Sequence, residues 1–329
     1  MGGGDQVTSL GWVGVGRMGR ALVTRLLAAG HEVAVYNRTR EKAADLAQLG
    51  AVIVDSPADL ADRDIVFTMV AGSADVEEVV SALLSRDDAT PGLIVDSTTI
   101  SPAAAEEIRA RAAARGTAVL AAPVSGNPKV AESGRLTIVA SGPADAWERA
   151  RPYLELLCRR VTYVGEGERA RLVKICHNLM LGVVAQCMAE ITVLAEKGGV
   201  TRADFLEFLN DSVMGSTFTR YKSPAYVNLD FTPTFTPALL LKDFHLGFEA
   251  ARAMDVAMPL AAATEQIVQG LAGAKGNEVD FAALIELAAE ASGLQLTPED
   301  VEVDDGLSPL PASTNGDGPT RPAAPSPAS

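Results

Sequence analysis

The stretch Leu10-Gly11-Trp12-Val13-Gly14-Val15-Gly16-Arg17-Met18-Gly19 begins with an apolar run and ends in a glycine-rich loop. The loop fits the pattern G-x-G-x-x-G, whose glycines let a pyrophosphate approach the backbone at the start of a helix. A helical stretch follows over residues 17–29, and a second apolar strand follows over residues 33–36. Because the pattern needs this strand–helix–strand context, we predict a dinucleotide-binding unit here. The predicted loop contacts are Gly14, Val15, Gly16, Arg17, Met18 and Gly19.

Short apolar strands and helical stretches alternate as far as about residue 165. Strands are predicted at residues 10–15, 33–36, 51–54, 65–70, 93–95, 118–121 and 136–140. Continuous β-branched runs of this kind are typical of parallel strands buried on both faces. The fold class is therefore α/β, a Rossmann-type doubly wound parallel sheet, for residues 10–166.

The second half lacks a strand pattern and predicts an all-α domain over residues 167–296. Residues 168–197 contain no proline and read as one interdomain helix, which would span ~45 Å. Further helices are predicted at residues 202–210, 237–254, 259–271 and 281–290. The tail over residues 297–329 holds seven of the 18 prolines and no aromatic residue, so we predict that it is acidic and disordered. Residues 1–9 are predicted to be a flexible N-terminus.

Composition excludes several classes of function. The 329-residue chain carries a formal net charge of −14, which argues against a nucleic-acid partner. Its three cysteines form no C-x-x-C, and its three histidines form no H-E-x-x-H, so we expect no metal site. No apolar run reaches ~18 residues and no leader is evident, so we expect a cytoplasmic protein without a membrane partner.

The end of the second strand indicates which dinucleotide is bound. An NAD-selective site would place an acidic residue here for the ribose hydroxyl, whereas this chain has Asn37, Arg38 and Thr39. Arg38 can pair with a 2′-phosphate, and Arg40 would add a second cation. We therefore predict NADP(H) in preference to NAD(H). The alternative is that Arg38 is a solvated surface residue.

Four ordered blocks over about residues 10–293 resemble the β-hydroxyacid dehydrogenases, the 3-hydroxyisobutyrate dehydrogenase-like family. The first block is the glycine loop with the Asn37–Thr39 triplet. The second, Asp96-Ser97-Thr98-Thr99-Ile100-Ser101-Pro102, is similar to the family's D-x-S-T-x-x-P, with Thr98 in place of serine. The resemblance implies that Met69, Val70 and Thr98 bind the cofactor and Thr99 the substrate. By itself the second block is also compatible with an ordinary helix cap.

The third block, Pro123-Val124-Ser125-Gly126-Asn127, resembles P-V-S-G-G. In the family this segment holds the substrate carboxylate, which implies that role for Ser125, Gly126 and Asn127. Converging N–H donors suit a small anion. Asn127 replaces a glycine, and asparagine tolerates a left-handed backbone better than most residues.

The fourth block, Lys174-Ile175-Cys176-His177-Asn178, resembles K-x-x-N-N, with His177 in place of the first asparagine. Lys174 and Asn178 are four residues apart and so share one helix face. The resemblance implies that Lys174 is the general acid/base and that Asn178 supports it. Glu168 and Ala170 stand where the family prefers glycines.

Three later residues also match the family, namely Phe235, Lys242 and Asp243. The resemblance implies that Phe235 covers the substrate and that Lys242 lies near the nicotinamide. It implies that Asp243 supports the hydrogen bonds of the site. In the segment before them, Arg220 or Lys222 could reach an anionic substrate, or could belong to a solvated loop.

The resemblance implies an NADP-dependent oxidoreductase that interconverts a small 3-hydroxy acid with its semialdehyde or keto acid, and a homodimer. Two alternatives remain open from the sequence. One is an imine reductase-like enzyme, against which Lys174 weighs. The other is a dinucleotide-binding scaffold without catalysis.

Overall fold

A computed structural model describes residues 8–307 of the protein. Its first domain is built on a six-stranded sheet in the order β3-β2-β1-β4-β5-β6, with every adjacent pair parallel. This confirms the predicted fold class. The strand order reverses at β1, and in such sheets ligands bind beyond the carboxyl ends of the strands at the reversal. The strands are β1 (Leu10–Val13), β2 (Val33–Tyr36), β3 (Val52–Ile53), β4 (Ile65–Thr68), β5 (Leu93–Asp96) and β6 (Ala118–Ala121).

Helices cover both faces of this sheet. Leu10 and Trp12 face one apolar cluster and Val13 faces the other, so alternate residues of a strand are buried on opposite sides. Burial on both sides explains why the strands read as continuous apolar runs. The covering elements are α1 (Arg17–Ala28), α2 (Ser73–Leu83), α3 (Pro102–Ala114), α5 (Ala144–Leu157) and the 3₁₀ helices Arg40–Leu49 and Pro57–Leu60.

A second, three-stranded sheet was not predicted. It contains β7 (Val124–Ser125), β8 (Thr137–Ala140) and β9 (Arg160–Tyr163), with the short α4 (Pro128–Glu132) between the first two. β7 and β8 are antiparallel, so the strand expected at residues 136–140 lies outside the parallel sheet. β7 has only two residues, and β9 alternates exposed and half-buried positions, so neither leaves an apolar run in the sequence.

The second domain is helical throughout its described residues, as predicted, and its spine is α6 (Arg169–Lys197), which packs against α7, α9, α10 and α11. The segment with Arg220 and Lys222 is not a solvated loop, because it belongs to the helix α8, which contains Pro224. A capping box at Ser216 and Thr219 starts α8 despite that proline. The remaining elements are α7 (Arg202–Asp211), α8 (Thr217–Asn228), α9 (Pro237–Ala253), α10 (Pro259–Lys275), a 3₁₀ turn (Phe281–Ala283) and α11 (Leu284–Ala291).

Within residues 8–307, α6 is the one helix whose length and mean hydropathy of 1.6 would allow it to cross a membrane. Half of that apolar window is buried inside the protein. The core helix of a globular domain meets the same two criteria, and α6 has that position here.

The tail prediction is corrected for residues 297–307, which we call the C-terminal strap. Glu299 accepts hydrogen bonds from the N–H groups of Arg202 (2.7 Å) and Ala203 (3.1 Å) at the start of α7. The strap ends on the first domain, where Leu307 is buried in the core and Arg135 donates to the Gly306 carbonyl. Composition missed this segment because much of its anchoring uses backbone groups, such as the N–H and carbonyl of Val301 on the Asn228 amide. Residues 308–329 lie outside the described residues.

The predicted flexible N-terminus is corrected in the same way at one position. The backbone N–H and hydroxyl of Ser9 both donate to the Asp64 carboxylate, at 2.7 and 2.8 Å. Residues 1–7 lie outside the described residues.

Replacing Glu299 with alanine tests the strap. The change removes two hydrogen bonds at the start of α7 and one acid beside the fully buried Arg202, which keeps Glu196 at 2.7 Å. We expect Glu299→Ala to lower the free energy of unfolding by about 1–3 kcal/mol in a urea titration. Glu302→Ala, an exposed strap position, is the matched control. Equal stability of the two variants would contradict the assignment.

Candidate functional site

A large cleft of about 1410 Å³ runs across the carboxyl edge of the parallel sheet and along α6. The predicted catalytic, substrate-binding and cofactor-binding residues line this cleft, with the exception of Arg40. Pockets for ordinary small molecules measure ~300–1,000 Å³, so the cleft has room for a larger ligand or for two ligands together.

The glycine loop has the shape that a pyrophosphate needs. Gly14 has φ +98°, and a Cβ there would lie 2.1 Å from the Met69 carbonyl oxygen. A Cβ on Gly19 would lie 2.0 Å from the Gly14 carbonyl oxygen, so this glycine lets α1 pack closely on the loop. A Cβ on Gly16, in contrast, would meet no atom within 4 Å. The face of Gly16 is therefore open at the N-terminus of α1, where N–H groups and the helix dipole favour an anion.

Asn37 braces this loop. Its Oδ1 accepts from the Val15 N–H at 2.8 Å and its Nδ2 donates to the Thr39 carbonyl at 2.7 Å. The Gly14 N–H donates to the Tyr36 carbonyl at 3.0 Å. Asn37 therefore fixes the loop as well as lining the cleft.

The cations near the end of β2 differ from the prediction in one respect. Arg38 lines the cleft, is 79% exposed and lies 3.3 Å from Asp75. Arg40, expected as a second cation, instead pairs with Asp55 and does not line the cleft. Lys42 lines it in place of Arg40.

Two contacts complete the dinucleotide side. The Val70 N–H donates to the Thr98 hydroxyl at 3.1 Å, so the hydroxyl that threonine shares with serine positions the Met69–Val70 segment. Arg17 reaches across the cleft and donates to the Pro233 carbonyl at 2.7 Å. The glycine loop is thereby tied to the helical domain.

The loop around Ser125 is positioned by β7 and α4. Gly126 has φ +133°, and a Cβ there would lie 2.5 Å from the Leu136 side chain. Asn127 has an extended backbone, so the left-handed residue of this turn is Gly126. The Asn127 side chain caps α4 by accepting from the Val130 N–H at 3.0 Å. Asn127 therefore stands in place of a glycine at a position that does not need a left-handed backbone.

A chain of hydrogen bonds joins this loop to α6 and α9. Ser125 Oγ lies 2.8 Å from His177 Nε2, and His177 Nδ1 lies 2.9 Å from Asn178 Oδ1. Asn178 Nδ2 donates to Asp243 Oδ2 at 2.5 Å. Lys242 Nζ lies 3.8 Å from the other Asp243 oxygen, which has no hydrogen-bond partner among residues 8–307.

Burial shifts the pKa values of three residues in this part of the cleft, namely Lys174, His177 and Asp243. It lowers the pKa of Lys174 to about 8; the Asp243 charge opposes that change and the Lys242 charge adds to it. Burial and the neighbouring Lys174 lower the pKa of His177. Burial raises the pKa of Asp243, with Lys242 opposing. A lysine that loses its proton near neutral pH is suited to general acid–base catalysis.

Sequence reasoning missed the contacts that hold α6 in place. Arg171, one turn before Lys174, is buried and bonds to Asp96 at 2.8 Å, Glu168 at 2.6 Å and the Thr98 carbonyl at 2.5 Å. Glu168, noted above as a departure from the family, is thus one of its partners. Ala170 packs with its N–H on the Ser141 hydroxyl at 2.9 Å. No local pattern connects positions as far apart as Asp96 and Arg171.

The two cations considered as ligands for an anionic substrate, Lys222 and Arg220, are both paired with acidic side chains. Lys222 is buried and bonds to Asp280 at 2.5 Å and to the Thr234 hydroxyl at 3.0 Å. Arg220 pairs with Asp211 at 2.9 Å. Asp280 also accepts from the Phe235 N–H at 3.1 Å and so fixes the aromatic ring at the cleft.

Comparisons with known proteins match both halves of this architecture. A family model for the NAD binding domain of 6-phosphogluconate dehydrogenase matches residues 9–165. A second model, NAD-binding of NADP-dependent 3-hydroxyisobutyrate dehydrogenase, matches residues 168–288. The chain is 33% identical over 294 residues to a probable 3-hydroxyisobutyrate dehydrogenase-like protein 3 of Arabidopsis thaliana, covering 87% of this chain and 89% of that protein.

Solved structures of known proteins show the same architecture. That of the Mycobacterium tuberculosis 3-hydroxyisobutyrate dehydrogenase with L-serine has a TM-score of 0.75 and 30% identity, covering 86% of this chain and 99% of that one. An imine reductase from Pseudomonas sp. has a TM-score of 0.57 at 22% identity, over 85% of this chain and 98% of that one, and shares the fold alone.

Fold and cleft thus define an oxidoreductase that uses a nicotinamide dinucleotide. The chain belongs to the β-hydroxyacid dehydrogenase family, among its 3-hydroxyisobutyrate dehydrogenase-like members.

Two glycine variants separate dinucleotide binding from folding. Because a Cβ at Gly16 meets no protein atom, we expect Gly16→Ala to melt like the wild type but to bind NADP⁺ at least ~10-fold more weakly, about 1.4 kcal/mol. Gly19→Ala forces a clash with the loop and should lower the melting temperature. Calorimetric titration and thermal unfolding measure the two effects, with Gly273→Ala, open and remote on α10, as the control. Unchanged NADP⁺ affinity in Gly16→Ala would contradict the assignment of the glycine loop as the pyrophosphate site.

Proposed function

We propose that this protein interconverts a small 3-hydroxy acid with its semialdehyde or keto acid, using NADP(H) and with Lys174 as the general acid/base. The observation that carries the proposal is the position of Lys174. This lysine lines the cleft, has a pKa lowered to about 8, and shares its helix face with Asn178, which is bonded to Asp243. Ser125 and its loop line the same cleft.

The cofactor fits the residues at the sheet edge. The open face of Gly16 would receive the pyrophosphate, and Arg38 and Lys42 would flank the 2′-phosphate. The rest of the dinucleotide would be bordered by Met69, Val70, Thr98 and Lys242. When bound, the dinucleotide supplies the hydride chemistry. The description of the second family model, NADP-dependent, supports this preference.

The protein itself must hold the substrate and move one proton. Ser125 and the N–H groups of the Gly126–Asn127 turn bind the carboxylate, while Thr99 and Phe235 border the carbon chain. In oxidation the neutral Lys174 Nζ accepts the hydroxyl proton, and in reduction the charged amine returns it to the carbonyl oxygen. Asn178, held by Asp243, keeps the substrate oxygen within reach of Lys174.

Two further features belong to the proposal. We place the enzyme in the cytoplasm, which suits its three free cysteines, Cys158, Cys176 and Cys187. We also propose a homodimer, because exposed apolar side chains, including Met180 and Leu194, extend along α6.

Loss of Lys174 tests the chemistry. General acid–base catalysis contributes ~10²–10⁴-fold, so Lys174→Met should lower kcat at least ~100-fold while NADP⁺ still binds. The assay follows NADPH with 3-hydroxyisobutyrate, L-serine, glycerate, succinic semialdehyde, glyoxylate and a cyclic imine. Near-normal turnover of a hydroxy acid by the variant would refute the assignment. Imine turnover independent of Lys174 would favour the imine reductase alternative, and NADP⁺ binding without any turnover would favour the scaffold.

A charge reversal tests the cofactor preference. Arg38→Asp should raise the KM for NADPH far more than the KM for NADH, because only NADPH carries the 2′-phosphate that Arg38 would pair with. Arg40→Asp is the matched control, since Arg40 does not line the cleft. Equal changes for the two dinucleotides would contradict the preference.

A further inference from the structure

His177 lies where the first and second domains meet at the cleft. Its ring joins Ser125, on β7 of the first domain, to Asn178, on α6 of the second. Asn178 in turn donates to Asp243 on α9. Three elements therefore meet through this one imidazole, and the ring itself lines the cleft.

Hydrogen-bond chemistry fixes the direction of every bond in the chain. A carboxylate only accepts, so the Asn178 amide nitrogen faces Asp243 and its oxygen faces His177. That oxygen accepts as well, so His177 Nδ1 must carry a hydrogen. In neutral histidine the other nitrogen is then bare. His177 Nε2 consequently accepts the hydroxyl hydrogen of Ser125 across 2.8 Å.

A carboxylate ligand at Ser125 disturbs this arrangement. Ser125 has one hydroxyl hydrogen, and a carboxylate can bind that hydroxyl only by accepting it. The hydrogen must then leave His177, and lone pairs of Ser125 Oγ and His177 Nε2 would face each other. A proton on Nε2 removes the repulsion, because the imidazolium donates to Ser125 Oγ and places a positive charge beside the anion.

We propose that His177 is a positioning residue that takes up one proton when a carboxylate binds at Ser125, and that it thereby selects anionic over neutral ligands. The proposal rests on the carboxylate-binding role of Ser125 in the proposed function. No bond other than that to the proton is made or broken, and the proton comes from solvent.

The charges around His177 favour a neutral ring before the ligand arrives. Burial lowers the pKa of His177, and the charge of Lys174 on the same helix lowers it further. Lys242 and Asp243 face it from α9 by way of Asn178, and the β7 neighbour, Ser125, is uncharged. Lys222 on α8 also lines the cleft but is paired with Asp280. The ring is therefore deprotonated near pH 7, and protonation accompanies binding.

The consequence is a pH dependence of affinity that differs from that of catalysis. Above the pKa of free His177, the dissociation constant of a carboxylate should rise by up to about tenfold per pH unit, because one proton must be bound with it. A neutral amide of the same shape should show no such dependence. The effect appears in KM, whereas titration of Lys174 appears in kcat.

Calorimetry measures the proton directly. Isobutyrate is titrated into the full-length protein saturated with NADP⁺ at pH 7, in phosphate and in Tris, whose ionisation enthalpies differ. We expect net uptake approaching one proton for the wild type. Isobutyramide, the neutral probe, should give none. His177→Gln, whose amide nitrogen replaces Nε2 and can donate to Ser125 but cannot titrate, should bind isobutyrate without proton uptake.

The remaining outcomes are decisive. Lys174→Met should retain the uptake, because Lys174 already carries its proton at pH 7. Isobutyrate binding without uptake by the wild type, equal uptake by His177→Gln, or no isobutyrate binding at all would each overturn the proposal. Absence of dehydrogenase turnover together with His177-dependent uptake would refute the proposed function and leave this proposal standing.

Discussion

The ion pair between Arg171 and Asp96 is the contact on which the cleft depends. Both side chains are buried, and the pair joins the first turn of α6 to the carboxyl end of β5. Burying two charges is costly unless hydrogen bonds satisfy them, and here Glu168, Thr68 and the Thr98 carbonyl supply those bonds. Because Lys174 follows Arg171 by one helical turn, this pair sets where the amine lies relative to the dinucleotide loop.

The other contacts between the domains serve the same geometry at greater distances. Arg17 ties the glycine loop to the carbonyl of Pro233 near Phe235, at the dinucleotide end of the cleft. The C-terminal strap connects the start of α7 to the core beneath the Ser125 loop, through Glu299 and Leu307. Three separate contacts therefore connect the two domains: the Arg17 hydrogen bond, the strap and the Arg171 pair. A fixed separation of the two walls lets one proton donor serve one substrate position.

Much of this arrangement could be predicted from the sequence. The glycine loop, the parallel strands and the helix from Arg169 leave strong local patterns, because glycines, apolar runs and helical periodicity are local properties. The site blocks were placed by resemblance, and the structure brings them to one cleft. What escaped prediction depends on partners distant in the chain: the short strands β7 and β9, the pairing of Arg40 with Asp55, and the anchoring of the strap by Glu299. α8 escaped because its capping box has Thr219 in the place where such boxes usually have Glu or Gln, which leaves a weak helix-start signal in the sequence.

The pH dependence of kcat at saturating hydroxy acid and NADP⁺ tests the central claim, that Lys174 works as a base tuned by its neighbours. Neutral amine is the active form in oxidation, so kcat should rise with pH through about 8 and then level off. Asp243→Asn removes the charge that favours the protonated amine and should move this midpoint to lower pH. Lys242→Met removes a repelling charge and should move it to higher pH. Midpoints that stay fixed in both variants, or that move in the opposite directions, would contradict the account.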